Sequence, residues 1–371
     1  MAKLNFHSNP THTLGVEIEL GICDGKTMEL ANGCDTLLKQ IPEPLHTTIK
    51  PELMQCCVEV ISGVCNNVGE VREDLLGKLQ QVQSVTDSLD MRLWWGSTHP
   101  FSRWENQQVT PTERYMSLLD LLQELARRMI TFGLHVHVGV DTGDKAVMIC
   151  DRIMQHLPML LALSTSSPYW QTRDTGLHSH RSKLMEGLPT AGLPTLMRNW
   201  SEYVWLVNHM VETGFINTIR EIWWDVRPHH NFGTVEVRVC DMPGDIDSVC
   251  GLAALIQCLV KALSDEIDEG TYQFDCHPMM VRQNKWRAAR FGSSASLVNT
   301  RDYRVEPVVT IACRLVDQLR DVAIDLGCES ELGFVKEMAA RSGWSESQRA
   351  IFQQTNDAAE MVRQLTEQSR V

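Results

Sequence analysis

The chain has 371 residues, of which 43% are hydrophobic and 22% are charged, and its formal net charge is -13. This length allows one large domain or two, and the hydrophobic fraction is sufficient for a sizeable core. The negative charge argues against a nucleic-acid-binding protein and against attraction to anionic membranes, although a bound divalent cation can reverse the local sign and admit a phosphate ligand.

The cysteine pattern and the N-terminal segment predict the compartment. Twelve cysteines are scattered along the chain without a Cys-x-x-Cys spacing, which is typical of reduced core thiols and not of a disulfide framework. The N-terminus lacks the apolar run of a signal peptide, and no segment approaches the roughly 20 apolar residues of a membrane span. We therefore expect a cytoplasmic protein without a membrane partner.

The N-terminal third mixes predicted strands and helices. Apolar and acidic residues alternate from Leu14 to Leu20, which predicts a strand. The region from Leu45 to Ile61 is strand-rich, with an edge or a break at Pro51. Apolar residues at helical spacing predict an amphipathic helix from Asn66 to Leu89, and strand character returns at Trp94.

The middle of the chain continues this mixture. A helix is predicted from Thr112 to Met129, a strand from Gly133 to Val140, and a helix from Ala146 to Leu163 that Pro158 should kink or split. The stretch from Ser164 to Thr195 is rich in Ser, Thr, Gly and Pro, so we predict a long loop there. Such a loop is a candidate lid over a binding site.

The last part of the chain is predicted to be mainly helical. Helices from Trp200 to Val211 and from Val249 to Ile267 flank a strand from Phe232 to Cys240. Strands and helices without regular alternation predict an α+β fold with an antiparallel sheet. No linker is evident, so we expect residues 1–371 to form a single catalytic domain whose part from about 271 onward is mainly helical.

Polar side chains stand two residues apart on three predicted strands. These triplets are Glu17-Ile18-Glu19, His135-Val136-His137 and Glu236-Val237-Arg238. Side chains on a strand alternate between faces, so each triplet puts its two polar groups on one face. Together they would make a surface that binds cations and phosphate. Taken singly, each triplet is also explained by a solvated strand face, a core histidine or a structural ion pair.

Two further acids and two arginines are candidates for the same surface. Glu52 and Glu59 are seven residues apart, so in one straight strand they would lie on opposite faces and about 23 Å apart. They share a site only if the chain turns or bulges between them. Arg181 and Arg227 lie in loop-like contexts, where ordinary surface arginines are also common. A glycine-rich phosphate loop and a His-Glu-x-x-His motif are absent from the sequence.

The order of these motifs resembles the carboxylate-amine ligases of the glutamate-cysteine ligase type 2 family, of the YbdK-like kind. The similarity extends from about Leu14 to Gly292. It rests on the segments Leu14–Glu19, Glu52–Glu59, Thr98–Phe101, Gly133–Gly139, Ser167–Trp170, Arg227–Pro228 and Gly233–Arg238. The resemblance implies a glutamine synthetase-like catalytic fold, in which a curved antiparallel sheet forms a funnel backed by helices.

The resemblance also implies a metal site. Two or three Mg2+ or Mn2+ ions would lie between the sheet and ATP. The implied ligand groups are Glu19 with Glu52 and Glu59, and Glu17 with His135 and Glu236.

The positively charged residues receive roles in the same way. His137 and Arg238 would face the phosphates of ATP, and Arg181 and Arg227 would face the substrate carboxylate or the transferred phosphoryl group. Trp170, in the candidate lid, is expected to contact the nucleotide.

The implied activity joins a carboxylate, taken as the γ-carboxylate of glutamate, to the amine of cysteine or another amino compound. ATP would first convert the carboxylate to an acyl phosphate, from which water must be excluded. Small-molecule substrates and a homodimer are expected. Two alternatives stay open, namely a metal-dependent amide hydrolase with the same ligands and a noncatalytic relative that binds nucleotide.

Overall fold

The structure is a computed structural model that describes residues 4–271, 277–299 and 302–371. Strands and helices follow one another in the mixed order that the sequence predicts. The strands are β1 Leu14–Asp24, β2 Ile49–Pro51, β3 Cys57–Ile61, β4 Met91–Trp94, β5 Gly133–Gly139, β6 Tyr169–Trp170, β7 Arg173–Asp174, β8 Ala191–Gly192, β9 Trp223–Trp224, β10 Val226–His229, β11 Thr234–Asp241, β12 Ser296–Val298 and β13 Val305–Pro307. The helices are α1 Cys34–Leu38, α2 Val68–Ser88, α3 Glu113–Leu122, α4 Glu124–Arg127, α5 Gly143–Ile153, α6 Leu157–Ser164, α7 Arg181–Met185, α8 Trp200–Glu212, α9 Ile246–Asp268, α10 Pro278–Phe291, α11 Val308–Gln318, α12 Arg320–Asp325, α13 Glu329–Ala340, α14 Trp344–Thr355 and α15 Ala358–Gln368.

Within the described ranges, seven strands form one antiparallel sheet at the centre of the fold. The strand order is β10-β11-β5-β1-β3-β2, and β4 also pairs with β1. The register between β5 and β11 shifts between Val237 and Cys240, and a bulge of this kind bends a strand. The predicted α+β fold with an antiparallel sheet is confirmed.

The two faces of this sheet differ in chemistry because side chains alternate along each strand. On β1, Val16, Ile18 and Leu20 are fully buried, whereas Glu17 and Glu19 point to the opposite face and are partly exposed. Helices α2, α5 and α9 contact the strands of this sheet and cover its apolar face. The other face is therefore left to carry polar groups.

Helix α9 is the longest helix of this apolar layer. Asp245 caps its first turn by accepting a hydrogen bond from the backbone N–H of Ser248 at 2.6 Å. By length and composition α9 qualifies as a candidate membrane span, which the sequence analysis did not recognise, but 78% of its most apolar window is buried in the fold. The core helix of a globular domain passes the same test, so this is weak evidence for a membrane span.

Two predicted helices are each divided in the structure. The helix expected from Thr112 to Met129 is split into α3 and α4 because Gln123 between them has a φ of 48°, which lies outside the right-handed helical region. The helix expected from Ala146 to Leu163 is split into α5 and α6, which are bent by 66°. Pro158 lies in the first turn of α6, where proline is well tolerated.

The segment predicted to be a loop and a lid is largely packed structure. It contains β6, β7, α7 and β8, and residues 164–170 are buried. The backbone N–H of Ser166 and the hydroxyl of Ser167 both donate to the Asp241 carboxylate, at 3.0 and 2.7 Å. The serines that suggested a loop thus anchor residues 164–170 to a buried acid, and closure of the segment over the site stays a prediction.

The C-terminal helices pack onto the same core as the sheet. Leu332 and Val335 of α13 and Met361 and Val362 of α15 are buried in the cluster that also contains the apolar side chains of β1. The predicted helical character beyond residue 271 is confirmed for the described residues, apart from the β12–β13 hairpin. This shared core is consistent with the prediction of a single domain.

Gly244 provides a test of how the C-terminal helices are packed. A methyl group added at Gly244 would overlap the Trp344 ring, and the Trp344 Nε1–H is held at 2.7 Å by the carbonyl oxygen of Trp95. We expect Gly244→Ala to lower the free energy of unfolding by about 1–3 kcal/mol, because a packed interior resists added volume. Urea unfolding measures this change.

Gly77→Ala on α2 is the matched control. An added methyl group at Gly77 meets no atom within 4 Å, and alanine is favoured over glycine in a helix by up to about 1 kcal/mol. Gly77→Ala should therefore be as stable as the wild type or slightly more stable. Equal stability of the two variants would contradict the packing described above.

Candidate active site

A cavity of about 450 Å3 lies over the polar face of the sheet. Its lining includes five carboxylates and six cationic side chains. The carboxylates are Glu17, Glu19, Glu52, Glu59 and Glu236, and the cations are Lys50, Arg114, Arg181, Arg220, Arg227 and Arg238. The cavity therefore carries no excess of negative charge, although the whole chain has a net charge of -13.

The strand register brings the three polar triplets together. Glu17 of β1 lies opposite His135 of β5, and His137 lies opposite Glu236 of β11. Arg227 of β10 is the next partner, opposite Glu236 on its other side. Residues directly opposite each other in an antiparallel pair point to the same face, so the triplets form one surface as predicted.

Glu52 and Glu59 reach this surface because the chain turns between them. Glu52 immediately follows β2, and Glu59 lies on β3 directly opposite Glu19. The Glu52 carboxylate accepts hydrogen bonds from the backbone N–H of Leu53 at 3.1 Å and from the Tyr115 hydroxyl at 3.4 Å. The turn that the seven-residue spacing requires is thus present.

Metal-ligating atoms lie within 4.8 Å of one another in three groups among the described residues. The groups are Glu19 with Glu52 and Glu59, Glu17 with Glu59 and His135, and Glu17 with His137 and Glu236. The first group is the one that the family resemblance implies. The implied group of Glu17, His135 and Glu236 is corrected, because the register pairs Glu236 directly with His137 and leaves His135 beside Glu17 and Glu59.

The crowding of carboxylates changes their protonation. Burial and the charge of Glu52 raise the pKa of Glu19 to about 7. Burial and neighbouring carboxylates raise the pKa of Glu59 well above its usual value, and burial raises the pKa of Glu52. A divalent cation would remove this repulsion, and carboxylate oxygens are the ligands that hard cations prefer.

Glu17 and Glu236 differ from these three acids because they face positive or hydrogen-bonding groups. Burial alone would raise both pKa values, but hydrogen bonds from the two site histidines hold the pKa of Glu17 well below its usual value. The charges of Arg227 and Arg238 do the same for Glu236. Arg227 Nε donates to Glu236 Oε2 at 2.6 Å, and Arg238 Nη1 donates to Oε1. A cation would therefore meet only the remaining lone pairs of Glu236.

Arg181 and Arg227 were predicted to lie in loop-like contexts, but both belong to regular elements. Arg181 begins α7 and Arg227 lies on β10. Arg181 Nη1 donates to the carbonyl oxygen of Cys240 at 2.9 Å. A methyl group at Gly133 would overlap the Arg181 guanidinium, so glycine makes room for it. Arg181 Nε is buried and has no hydrogen-bond partner within the described residues.

Asp241, which the sequence motifs do not single out, is a fully buried acid that organises the approach of Arg181. Its carboxylate accepts hydrogen bonds from the Ser166 backbone N–H at 3.0 Å, the Ser167 hydroxyl at 2.7 Å and the Ser179 hydroxyl at 2.8 Å. The Ser167 oxygen in turn accepts the backbone N–H of Arg181 at 3.1 Å. The only local signal was an acid directly after the predicted strand from Phe232 to Cys240, which the structure includes as the last residue of β11.

Trp170 is not among the described residues that line the cavity. Its side chain is 7% exposed and belongs to the main core, where its ring lies 5.5 Å from the ring of His180. The expected contact with the nucleotide is corrected accordingly. The aromatic residues that do line the cavity are Tyr115, Phe132, Trp223 and Phe232, besides its histidines.

Comparison with known families agrees with this arrangement. The model of the family described as glutamate-cysteine ligase family 2 (GCS2) matches residues 13–368. The chain belongs to this family. The resemblance seen in the motifs is confirmed, and so is the prediction of a ligase that joins a carboxylate to an amine through a C–N bond. Membership of GCS2 favours this activity over the metal-dependent amide hydrolase.

Two GCS2 relatives are similar over nearly their full length. A protein of Gloeobacter violaceus named "Putative glutamate--cysteine ligase 2" is 39% identical over 97% of this chain and 97% of its own. A protein of Arthrobacter sp. named "Putative glutamate--cysteine ligase 2-1" is 37% identical over 99% of this chain and 98% of its own. The family assignment therefore covers the whole domain.

Two solved structures share the fold at low sequence identity. Glutamate-cysteine ligase of Francisella tularensis in complex with AMP has a TM-score of 0.72 and 14% identity, and the match covers 98% of this chain and 90% of that chain. A bifunctional glutathione synthetase of Pasteurella multocida has a TM-score of 0.69 and 15% identity, with 97% and 51% covered. The predicted fold class of the GCS2 chain is confirmed by these neighbours.

The raised pKa of Glu19 predicts how the cation-free protein depends on pH. The pKa is about 7 in the folded chain against an ordinary value of 4.5. The stability that protonated Glu19 contributes is therefore complete below about pH 4.5 and is lost as the pH rises through about 7. Glu19→Gln keeps an oxygen that accepts the Gly133 N–H, which Glu19 accepts at 2.7 Å, but does not titrate. Between pH 4.5 and 8 the wild type should lose about 2–3 kcal/mol relative to this variant.

Chemical unfolding in the presence of a chelator, repeated across this pH range, measures the difference. Glu212→Gln on α8 changes an exposed carboxylate outside the cavity lining and serves as the control. Parallel stability curves for the wild type and Glu19→Gln would remove the proposed repulsion from consideration.

Proposed function

We propose that the protein uses ATP to convert a carboxylate to an acyl phosphate and then transfers the acyl group to an amine. The proposed acid is glutamate, activated at its γ-carboxylate, and the acceptor is cysteine or another amino compound. The observation that carries the proposal is the cavity, in which the row of acids and histidines adjoins Arg181, Arg227 and Arg238. The names of the GCS2 relatives support glutamate, and the AMP complex of the Francisella tularensis enzyme agrees with an adenine nucleotide.

The reaction requires positive charge at the point where two anions meet. A carboxylate and the γ-phosphate of ATP repel each other, so phosphoryl transfer depends on groups that neutralise both. Arg238 suits this role because it is buried and its Nε has no hydrogen-bond partner among the described residues. Burial alone would lower the pKa of Arg238, but the charges of Glu236, Glu17 and Glu19 raise it, so the guanidinium stays charged.

The other cations are proposed to hold the reacting groups in place. Arg181, which lines the cavity, is assigned to the substrate carboxylate or the transferred phosphoryl group. Arg227 already donates to Glu236 and to the carbonyl oxygen of Ile222 at 2.6 Å. Its remaining donors are proposed to contact the same substrate group.

Mg2+ or Mn2+ fits the donor set of this site, because the grouped atoms are carboxylate oxygens and imidazole nitrogens. Glu19, Glu52 and Glu59 would hold one ion, and Glu17, His137 and Glu236 would hold another. When bound, the ions would neutralise phosphate charge and polarise the phosphoryl oxygens.

The pKa values of the two histidines shift in opposite directions. Burial and the charge of Arg238 lower the pKa of His135 to about 4, so His135 is neutral near pH 7, as it would have to be to hold an ion together with Glu17 and Glu59. Burial alone would lower the pKa of His137, but Glu236 and Glu17 raise it. We propose that His137 changes between contact with a phosphate and contact with an ion.

We further propose that the protein acts in the cytoplasm as a homodimer on small-molecule substrates. These statements extend the family resemblance. The noncatalytic alternative makes the opposite prediction for turnover, so the same assay separates it from the ligase.

The proposal is tested by phosphate release from Mg-ATP in the presence of acids and amines, with product masses confirmed. We expect release that requires both an acid and an amine. Glu19→Gln should reduce turnover by about 100-fold or more, because a carboxylate proposed to hold the ion that neutralises phosphate charge is lost. Hydrolysis of an amide without ATP, or no release with any acid and amine, would rule the proposal out.

Arg181→Lys tests the role of the guanidinium. We expect turnover to fall by about 10- to 1000-fold because lysine keeps the charge but loses the planar fork that binds two oxygens. Steady-state kinetics and thermal unfolding of the same samples separate this loss from misfolding. Arg198→Lys is the matched control. It changes an arginine whose side chain is 86% exposed and should have wild-type kinetics. Wild-type kinetics for Arg181→Lys would refute the role.

A further inference from the structure

We propose that the amine acceptor carries an apolar body, which binds against one wall of the cavity. This inference rests on the proposed function and names the class of its second substrate. The aliphatic wall consists of Leu118, Leu122, Ala126, Met129, Met185 and Leu188, which all line the cavity.

The aliphatic wall is a hydrophobic cluster apart from the main core. Leu118, Leu122 and Leu188 are 6–8% exposed, while Met129 and Met185 pack against them and stay partly exposed. The wall side chains contain no N–H or O–H donor, in a cavity whose floor is lined by charged groups. An apolar surface inside a cavity favours an apolar ligand group, because burying that group removes it from water.

The other two substrates are better matched elsewhere in the cavity. The acid and the triphosphate are anionic, so they belong with the arginines of the floor. The adenine ring is planar, and planar rings stack well on aromatic faces. His229 and Phe232 offer such a face, since their rings are stacked with centroids 4.2 Å apart and both line the cavity.

The stacked pair lies at the β10 edge of the sheet, whereas the α3 part of the aliphatic wall lies toward the β2 edge, and Trp223 of β9 packs against the same wall. His229 ends β10, which is one edge strand, whereas β2 is the other. Leu118 follows Tyr115 by one turn of α3, and the Tyr115 hydroxyl donates to Glu52 directly after β2. A nucleotide base on the first surface leaves the second surface for the body of the amine.

An apolar wall also favours the reactive form of the acceptor. An amine attacks only when it is unprotonated, and apolar surroundings disfavour the charged ammonium. In the proposed step the nitrogen lone pair forms a bond to the acyl carbon and the bond from that carbon to the phosphate oxygen breaks. The nitrogen proton leaves with the phosphate, which departs as hydrogen phosphate.

The wall extends beyond what a small acceptor would cover. Cysteine, for which the relatives are named, presents a single CH2 and a thiol. The accessible parts of the leucines and of Met129 and Met185 offer contact to a longer chain or to a ring, and methionine adapts to varied shapes. The structure therefore assigns the acceptor to amines with a larger hydrocarbon group.

The first experiment separates this inference from the proposed function. With Mg-ATP and glutamate, hydroxylamine serves as a small acceptor that has no apolar body. Hydroxamate formation would support the proposed function by itself. If neither hydroxylamine nor any amine gave product, the proposed function would fail and the role of the wall would fail with it.

A series from ethylamine to hexylamine then tests the wall. We expect kcat/KM, expressed on the unprotonated amine, to rise about three- to fourfold for each added methylene until the wall is covered. The kcat/KM of butylamine should exceed that of 2-methoxyethylamine by about tenfold. The two amines have the same number of heavy atoms, but the second would bury an ether oxygen against the wall. If hydroxamate forms but kcat/KM does not change along the alkylamine series, the inference is overturned. It is also overturned if hydroxamate forms but kcat/KM is higher for cysteine than for butylamine.

Met185→Gln places an amide in the wall at nearly constant size. The preference for butylamine over 2-methoxyethylamine should fall by about tenfold, and Met129→Gln gives the same test at a second position if Met185→Gln does not fold. Leu121→Gln is the control, because Leu121 is 51% exposed on α3 and is not among the described residues that line the cavity. An unchanged preference in folded Met185→Gln protein would also contradict the proposal.

Discussion

The arrangement of the site depends on balancing like charges that the sheet holds on one face. Glu19, Glu52 and Glu59 lie close enough to share a cation, and burial with mutual repulsion raises their pKa values. The same face carries Arg227 and Arg238, whose charges hold Glu236 ionised. Acids, histidines and arginines therefore tolerate burial only as a set. A cation is most needed at Glu19, Glu52 and Glu59, whose pKa values stay raised although Arg181, Arg238 and Arg114 act on them.

The packing of the apolar face keeps this set in position. A slip of one residue in any strand would move its acids into the core and its valines into the cavity, so burial on one face protects the register on the other. Around the sheet, the buried Asp241 carboxylate joins serines from two segments to the start of α7. The position of Arg181 is thus coupled to the core and not to a loop.

The cavity combines two kinds of surface that an acyl transfer to an amine requires. The floor neutralises anions, which suits the phosphates and the acid, whereas the aliphatic wall has no ionisable group and suits a neutral nucleophile. Membership of GCS2 establishes a ligase, and the contrast between floor and wall explains why one site can hold substrates of opposite character. In the proposed function the choice of amine depends on the wall, which lies outside the motifs that define the family resemblance.

Local patterns along the chain were enough to predict the strands that carry the site, the faces to which Glu17, Glu19, His135 and His137 point, and the family, because alternation and motif order are local properties. The folded arrangement was needed to show that His137 stands beside Glu236, that Trp170 is in the core, and that Asp241 holds the serines near Arg181. These outcomes depend on register and contacts between segments about a hundred residues apart, for which the local pattern contains no signal. The aliphatic wall is a further case, since helical spacing predicted α3 but only packing brought it to the cavity beside α7.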